Sequence, residues 1–271
     1  MRKDRTMPEL PEVETVVRQL RQKVLEKKVV NVEVFDPRVV DTRLQQLAPF
    51  KFKNITRRGK SIIASLNNGN YLIIQLRMTG HFYYVPKLPS SDTHNEYLAA
   101  VFHFTDKSIL THNSIRRFGK VQLATKKEVD EYVSKLGYEP LEMTSNEFIT
   151  SLQKTSSAVI KSKLLEQDCI AGIGNIYAQE ALYHAKILPS KKINQISDSQ
   201  LTKLYKELQS VLLKSIEHNG STVSNYTHIA GKGEFQNFLA VYQKEKCPKS
   251  HKIRKVQIGG RSTYYCKDCQ K

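Results

Sequence analysis

The apolar positions of this chain change period twice. Between Glu9 and Lys28, Val13, Val16, Val17, Leu20, Val24 and Leu25 recur at helical spacing, behind a first turn that carries Pro11, Glu12 and Glu14. An early proline has no amide proton to waste, and acids suit the positive end of a helix dipole, so this pattern predicts a buried amphipathic helix. From Val29 to Thr125 the period shortens to β-type runs: VVNVEVF, SIIASL, YLIIQL, HFYYV, LAAVFHF, SILTH and KVQLAT. Turn signals such as Asn68-Gly69 and Thr105-Asp106 separate them. Seven or eight short strands at this spacing predict an antiparallel sandwich.

Helical spacing then returns in EVDEYVSKL, NEFITSLQK, VIKSKLLEQ, NIYAQEALYHA and a long segment from Ser197 to Asn219. Thr144 with Glu147, and Ser197 with Gln200, have the form of capping boxes, and Gly220 reads as a helix stop. A mostly helical second domain is therefore expected to begin near residue 130. After Gly220 come a Gly-rich stretch, AGKGEF, and a cysteine-bearing tail too short to hold a core without a metal. The fold class is α+β: an N-terminal β-sandwich with a leading helix, then a helical domain and a metal-stabilised tail. The expected divisions are an extension over 1–7, a sandwich over 8–125, a linker over 126–143, a helical domain over 144–235 and a hairpin over 236–271.

Charge narrows the class of partner. The chain has 43 lysines and arginines against 26 acids, a formal charge of +17 over 271 residues. That imbalance favours a polyanion. No apolar run approaches the roughly 18 residues of a spanning helix and no signal peptide is apparent, which disfavours a membrane. Three of the four cysteines, Cys247, Cys266 and Cys269, lie in the last 25 residues. This is metal-site spacing, not a disulfide framework, and it fits a reducing cytoplasm. Cys169, alone in an apolar stretch, reads as a core thiol.

Five further motifs carry chemistry. They are PELPEVE from Pro8 to Glu14, RRGK at 57–60, QLRMTG at 75–80, IRRFG at 115–119 and AGIGNIYAQEAL at 171–182. To these the tail adds GGR at 259–261 and YCKDCQK at the end. Together, and in this order along nearly the whole chain, they resemble the formamidopyrimidine-DNA glycosylases, bifunctional enzymes that excise oxidised purines and cleave the resulting abasic site.

The resemblance implies a role for each matched residue. Pro8, freed as an N-terminal secondary amine, is the nucleophile toward C1′ of the damaged nucleotide. Glu9 protonates the sugar ring oxygen and Glu12 supports the site. Lys60 contacts phosphate beside the lesion and is a candidate proton donor in β-elimination; Arg261 holds phosphate and is the δ-elimination candidate. Met78, Arg116 and Phe118 match the trio inserted into the duplex when a nucleotide is turned out. Asn175 opens the helix-two-turns-helix element and binds phosphate at a helix N-terminus. Lys161 and Lys163 are further phosphate candidates, with surface solvation the competing reading. Tyr226 and Gly231-Lys232-Gly233 fall in the family's lesion-recognition loop.

Two departures from the family pattern stand out. The expected zinc-finger hairpin has Ser250 where a second cysteine belongs, with His251 one residue later, so Cys247, His251, Cys266 and Cys269 are the implied ligands of one structural Zn2+. In addition, MRKDRT precedes Met7, and as written Pro8 has an amide nitrogen; translation from Met7 followed by methionine removal is the expected source of the free amine. The implied partner is double-stranded DNA with oxidised bases or abasic sites, bound by a monomer in the bacterial cytoplasm. The related glycosylases of oxidised pyrimidines are the nearest rival, disfavoured by PELPEVE and by the trio. A noncatalytic DNA-binding protein is the rival from another class, and only the blocked Pro8 argues for it.

Overall fold

The computed structural model describes residues 7–85, 97–221 and 232–271. The leading helix, α1, spans Leu10–Val24, shorter at its C-terminal end than the Glu9–Lys28 pattern. Strand β1 follows at Lys28–Val34, a single-turn helix α2 at Leu44–Leu47, then β2 at Phe50–Arg58, β3 at Ser61–Leu66, β4 at Tyr71–Gln75 and β5 at Gly80–Val85. Strands β6 at Leu98–Phe104, β7 at Ile109–Ser114 and β8 at Lys120–Ala124 complete a ladder of order β5-β7-β6-β1-β2-β3-β4-β8. Every pairing is antiparallel. The two halves of that ladder share one core. Phe52 and Ile55 from one half and Phe82 and Phe102 from the other are buried together with Val13, Val16, Val17, Leu20 and Val24 of α1. The architecture is a sandwich in its packing and a single sheet in its hydrogen bonding.

Strand β2 joins the halves, and the run-by-run reading of the sequence passes over it. Its residues, FKFKNITRR, bury only Phe50, Phe52 and Ile55. The register shifts between Phe52 and Asn54, so the apolar spacing slips from two to three at a bulge and the β-period is lost from view. Segment 126–143, set aside as a linker, carries the helical run EVDEYVSKL as a helix, α3, at Lys126–Ser134. Val129 packs there with Ile63, Ile73 and Ala124, the sheet face opposite the main core. Thr125 and Glu128 cap it reciprocally.

The helical domain contains α4 at Ser145–Gln153, α5 at Ile160–Leu164, α6 at Asn175–His184 and α7 at Asp198–Glu217. Both expected capping boxes form: Glu147 N–H donates to Thr144 Oγ1 at 3.2 Å, and Gln200 N–H to Ser197 Oγ at 3.3 Å. Each is worth about 1 kcal/mol. Helix α7 stops where Gly220, at φ +77°, turns its N–H back to Ser215 O at 2.7 Å. The chain ends in a hairpin of β9, Arg254–Ile258, and β10, Arg261–Tyr265. Among the described residues no helix is long and apolar enough to cross a membrane.

Two features fix the halves of the molecule to each other. Helix α1 belongs to both, because Leu10 is buried in the core of the helical domain while Val13 onward is buried in the sandwich. Beside it, Glu139 is 7% exposed and bridges to Arg57 at 2.7 Å and Arg58 at 2.9 Å, and it accepts the Gly59 N–H at 2.6 Å. Burial pushes the Glu139 pKa up, but the two guanidiniums and the amide outweigh it and hold the carboxyl below its ordinary value. Its contribution is thus present above the ordinary carboxylate pKa and is lost as the pH falls through the lower, folded value. Glu139→Ala should cost about 3 kcal/mol, the low end for a broken buried pair because Arg57 keeps Glu14 at 3.3 Å, a loss on the order of 10 °C in Tm. Thermal melts at pH 7 and pH 3 check this, the deficit shrinking in acid; an unchanged Tm at pH 7 contradicts it.

Candidate active site

The acidic start of α1 lies at the seam between the two domains. Glu9 is 3% exposed, and its carboxylate accepts the Ile176 N–H at 2.9 Å and the Tyr177 N–H at 3.4 Å. These are the amides of the second and third residues of α6, so Glu9 sits at that helix N-terminus as an acceptor. Those two amides thus have a carboxylate of the chain itself as their acceptor. The glycines of AGIGN make the approach possible. A Cβ on Gly174 would lie 2.2 Å from the Glu9 carboxyl carbon, and Gly172, at φ +91°, would press on the Leu10 side chain at 2.9 Å. Gly172 O also accepts the Leu10 N–H at 3.0 Å.

Glu12, equally buried, closes the same structure from the other side. It accepts the Glu9 N–H at 2.9 Å, the Ser221 N–H at 2.7 Å, the Ser221 hydroxyl at 3.0 Å and the Tyr177 hydroxyl. The Ser215 hydroxyl lies 2.6 Å from Tyr177 OH. Burial raises the Glu12 pKa against these donors. Burial also raises Tyr177 well above its ordinary value, which keeps it a neutral donor. Tyr177 and Ser221 did not emerge from the sequence; only their places beside the NIY motif and the Gly220 stop mark them.

Burial pushes the Glu9 pKa up to about 7, assisted by Glu12 and opposed by Lys60 and the two amides. A carboxyl with that value holds a transferable proton at neutral pH. The Lys60 ammonium is held below its usual pKa by burial, with Glu9 working against that shift. Glu9 and Lys60 face a cavity of about 490 Å³, with Arg77 and Met78 on the sandwich side and Asn175, Tyr242 and Arg261 on the other. Three cationic side chains against one partly protonated carboxyl make this cavity a receptor for anions. Pro8 is buried immediately before Glu9, its nitrogen in the amide to Met7, and Met7 also lines the cavity.

The remaining expected residues fall into three groups. Met78 and Phe118 come from two turns that clasp each other: Arg116 N–H donates to Thr79 Oγ1 at 2.9 Å, its Nη1 to Met78 Sδ at 3.2 Å, and its guanidinium lies 4.8 Å from the Phe118 ring centre. Phe118 is 52% exposed, which a core role would not allow. On the hairpin side, Asn175 Nδ2 donates to Ser262 O at 3.0 Å and Asn175 Oδ1 is buried without a partner among the described residues. Lys161 overturns the surface reading. It is fully buried and donates to Thr263 Oγ1 at 2.7 Å, with its pKa pushed down to about 8 by burial and by Arg261. Lys163 instead pairs with Glu166 at 2.6 Å. Tyr226 and Gly231 lie outside the described residues. Cys169 is buried, as expected, and donates to Ser151 O at 3.7 Å.

The tail brings four donors together. One ligand atom from each of Cys247, His251, Cys266 and Cys269 lies within 4.8 Å of the others. Cys247 and Cys269 sulfurs are 4.0 Å apart, and His251 Nδ1 is 3.3 Å from Cys269 Sγ and 3.8 Å from Cys266 Sγ. Tetrahedral thiolate ligation gives edges of roughly 3.8 Å, so the set fits a structural metal ion. Ser250, at φ +64°, turns the chain so that His251 takes the missing place.

A sandwich and a helical domain joined by an acid-bearing helix, with a Cys3His hairpin over the same cleft, define a helix-two-turns-helix protein with an interdomain carboxylate–lysine centre. Residues 7–121 match the formamidopyrimidine-DNA glycosylase N-terminal domain, and residues 136–227 match the H2TH domain of the same enzymes. The formamidopyrimidine-DNA glycosylase of Pelotomaculum thermopropionicum is 37% identical over 98% of this chain and 99% of its own, and that of Protochlamydia amoebophila is 37% identical over 98% and 100%. A complex of Lactococcus lactis Fpg with DNA containing an abasic site superposes with a TM-score of 0.89 at 34% identity, covering 97% of this chain and 99% of that one. A mutant of the same enzyme bound to DNA containing Fapy-dG gives the same score and identity, over 97% and 100%. The chain belongs to the formamidopyrimidine-DNA glycosylase family.

The raised pKa of Glu9 has a consequence for stability. A group whose folded pKa lies above its ordinary 4.5 contributes most below pH 4.5, and that contribution is lost as the pH rises through about 7. Glu9→Gln keeps an acceptor for α6 and removes the ionisation. The variant should therefore melt higher than the wild type at pH 8, by up to about 3 kcal/mol, and nearly equally at pH 5. Calorimetry at the two pH values tests this, and no gain at pH 8 contradicts it.

Proposed function

We propose that the protein excises oxidised purines, 8-oxoguanine and formamidopyrimidines, from duplex DNA and cleaves the abasic site by successive β- and δ-elimination. The reading rests chiefly on Glu9: a buried carboxyl with a pKa of about 7, next to Pro8 and facing a cationic cavity. Family membership and the DNA in the Lactococcus lactis complexes support it.

The reacting form begins at Pro8, produced by translation from Met7 and removal of that methionine. Agreement of the family match with residue 7 as its first position supports this. The proline nitrogen adds its lone pair to C1′ as the C1′–N bond breaks; the bonding electrons leave with the damaged base, which takes up the proton that the proline nitrogen then sheds. Glu9 gives its proton to O4′ as the C1′–O4′ bond opens, which leaves an iminium on Pro8. A tertiary iminium nitrogen has no proton to lose, so the positive charge persists and acidifies C2′. Loss of the C2′ proton expels the 3′ phosphate, with Lys60 as proton donor. The second elimination expels the 5′ phosphate, with Arg261 in that part. Glu12 holds the Glu9 amide and Ser221, keeping both ends of the centre in register.

Met78, Arg116 and Phe118 fill the gap left by the everted nucleotide, offsetting an unstacking cost of a few kcal/mol. Asn175 and Arg261 take phosphate, while Lys161 acts from beneath by holding the hairpin. Tyr226 is assigned to the lesion-recognition loop by the resemblance alone. The metal is one Zn2+, held by Cys247, His251, Cys266 and Cys269; it supplies the folding energy that a hairpin with few apolar residues lacks.

Borohydride trapping on a duplex with 8-oxoguanine opposite cytosine is the central test. A chain that starts at Met7 should form a covalent adduct at Pro8, and one that retains residues 1–6 should bind the duplex without forming it. Full activity from molecules whose intact mass includes all 271 residues would rule out Pro8 and move suspicion to Lys60. For the metal, elemental analysis should give close to one zinc per chain, and His251→Ala should lower zinc retention and DNA affinity together. Undiminished zinc in that variant removes His251 from the ligand set.

A further inference from the structure

Arg77 was not among the residues singled out from the sequence, yet its surroundings are those of a built binding group. It stands in the tight turn between β4 and β5, at φ +52°, immediately before Met78. A residue with a Cβ holds that left-handed conformation at a cost, and such strain persists where the surrounding structure imposes it. The turn is closed by Gly80 N–H to Leu76 O at 2.8 Å. Arg77 lines the same cavity as Lys60 and Arg261, and its charge bears on the Lys60 ammonium. No carboxylate forms an ion pair with it among the described residues.

Its guanidinium is held by a neutral chain of side chains. Arg77 Nη2 donates to Gln75 Oε1 at 2.9 Å, and Gln75 Nε2 donates to Tyr132 OH at 2.8 Å. Tyr132 OH lies 2.6 Å from Ser61 Oγ, the residue directly after Lys60. One hydroxyl on α3 therefore ties together the two strand ends that present Lys60 and Arg77. An amide, unlike a carboxylate, orients an arginine without neutralising it, so the full charge remains available to a ligand.

We propose that Arg77 is an additional phosphate-binding residue of the cleft, contacting the DNA backbone beside the everted nucleotide, and that Gln75 and Tyr132 are the positioning residues that aim it. The proposal rests on the reading of this cleft as a DNA site. Each phosphate contact adds about 0.9 to the slope of log K against log salt. Arg77 can therefore be counted directly.

The experiment measures affinity for a short duplex carrying one tetrahydrofuran abasic-site analogue, across a salt series, for the wild type, Arg77→Ala, Arg77→Lys, Tyr132→Phe and the Arg77→Ala/Tyr132→Phe double variant. Melting curves confirm folding, which is expected because Arg77 is exposed and Tyr132→Phe keeps the ring on the sheet. Arg77→Ala should lower the slope by about 0.9 and the affinity about tenfold at moderate salt, and Arg77→Lys should recover the slope. Tyr132→Phe should weaken binding about threefold in the wild-type background and not at all when Arg77 is absent, the signature of a residue acting through another. An unchanged slope in Arg77→Ala overturns the proposal, and an undiminished Tyr132→Phe effect in the double variant overturns the positioning role. Absence of salt-dependent binding by the wild type would instead sink the DNA reading of the cleft itself.

Discussion

A carboxyl group removed from water requires donors or a proton, and at the start of α1 this fold supplies both. Glu9 occupies the amide end of α6 and Glu12 gathers Tyr177 and Ser221, so five long-range hydrogen bonds from main-chain or side-chain donors bind the first turn of α1 to the helical domain. These contacts also bear on the protonation of Glu9. Were Glu9 exposed it would be ionised at neutral pH; were it buried without Lys60 and the α6 amides, its pKa would climb further. Desolvation, assisted by Glu12, pushes it up, Lys60 and then the amides pull it down, and it is left near 7. The same geometry that joins the domains thus tunes the residue between them.

Cationic residues near the cleft are divided between structure and ligand by where the carboxylates are. Arg57, Arg58 and Lys60 are nearly consecutive, yet Glu139 takes the two arginines and the Gly59 amide while Lys60 turns into the cavity. Desolvated arginines without that carboxylate would destabilise the seam by several kcal/mol. Lys60, Arg77 and Arg261 are left facing a cavity in which Glu9 is the only acid among the described residues. A net charge of +17 would by itself describe a solvated basic surface; the pairing pattern turns a portion of it into a directed field.

Much of this was legible in the sequence where local rules and tertiary needs agree. The α1 apolar stripe, the Thr144 and Ser197 capping boxes and the Gly220 stop are each fixed by short-range chemistry, and each appears in the structure. Strand β2 escaped because its bulge breaks the alternation that identifies a strand. Lys161 could be read as a phosphate ligand or a solvated cation but not as a buried one, because nothing near it in sequence announces Thr263, which is 102 residues away. Arg77 escaped for a related reason: its value lies in Gln75 and Tyr132, and the second of these comes from α3, 57 residues beyond Gln75. The Cys3His set was legible because metal ligands must recur in type, even where Ser250 interrupts their spacing.

Helix α6 joins these parts into one mechanical unit. Its N-terminus is capped by Glu9, while Gln179 and Glu180, both buried, reach in the other direction. Gln179 accepts the Tyr264 N–H at 2.5 Å and donates to Ser262 O at 3.3 Å, gripping β10 on either side of Thr263. Glu180 accepts three consecutive amides, from Ala240, Val241 and Tyr242, at 2.7 to 3.0 Å, and so fixes the chain that enters the metal-binding turn. The hairpin has almost no core of its own; β9 is exposed along nearly all of its length. Its position is therefore set by polar bonds to α6, by Lys161 on α5 and by the packing of Ile253 and Cys266 with Tyr183 of α6, with the Cys3His cluster gathered at its base. Arg261 reaches the cavity from the end of that arm, across from Lys60 on the sandwich. A displacement of α6 by a fraction of an ångström would shift the acid and the hairpin cation together, so the two sides of the cleft keep their spacing by sharing one rigid element.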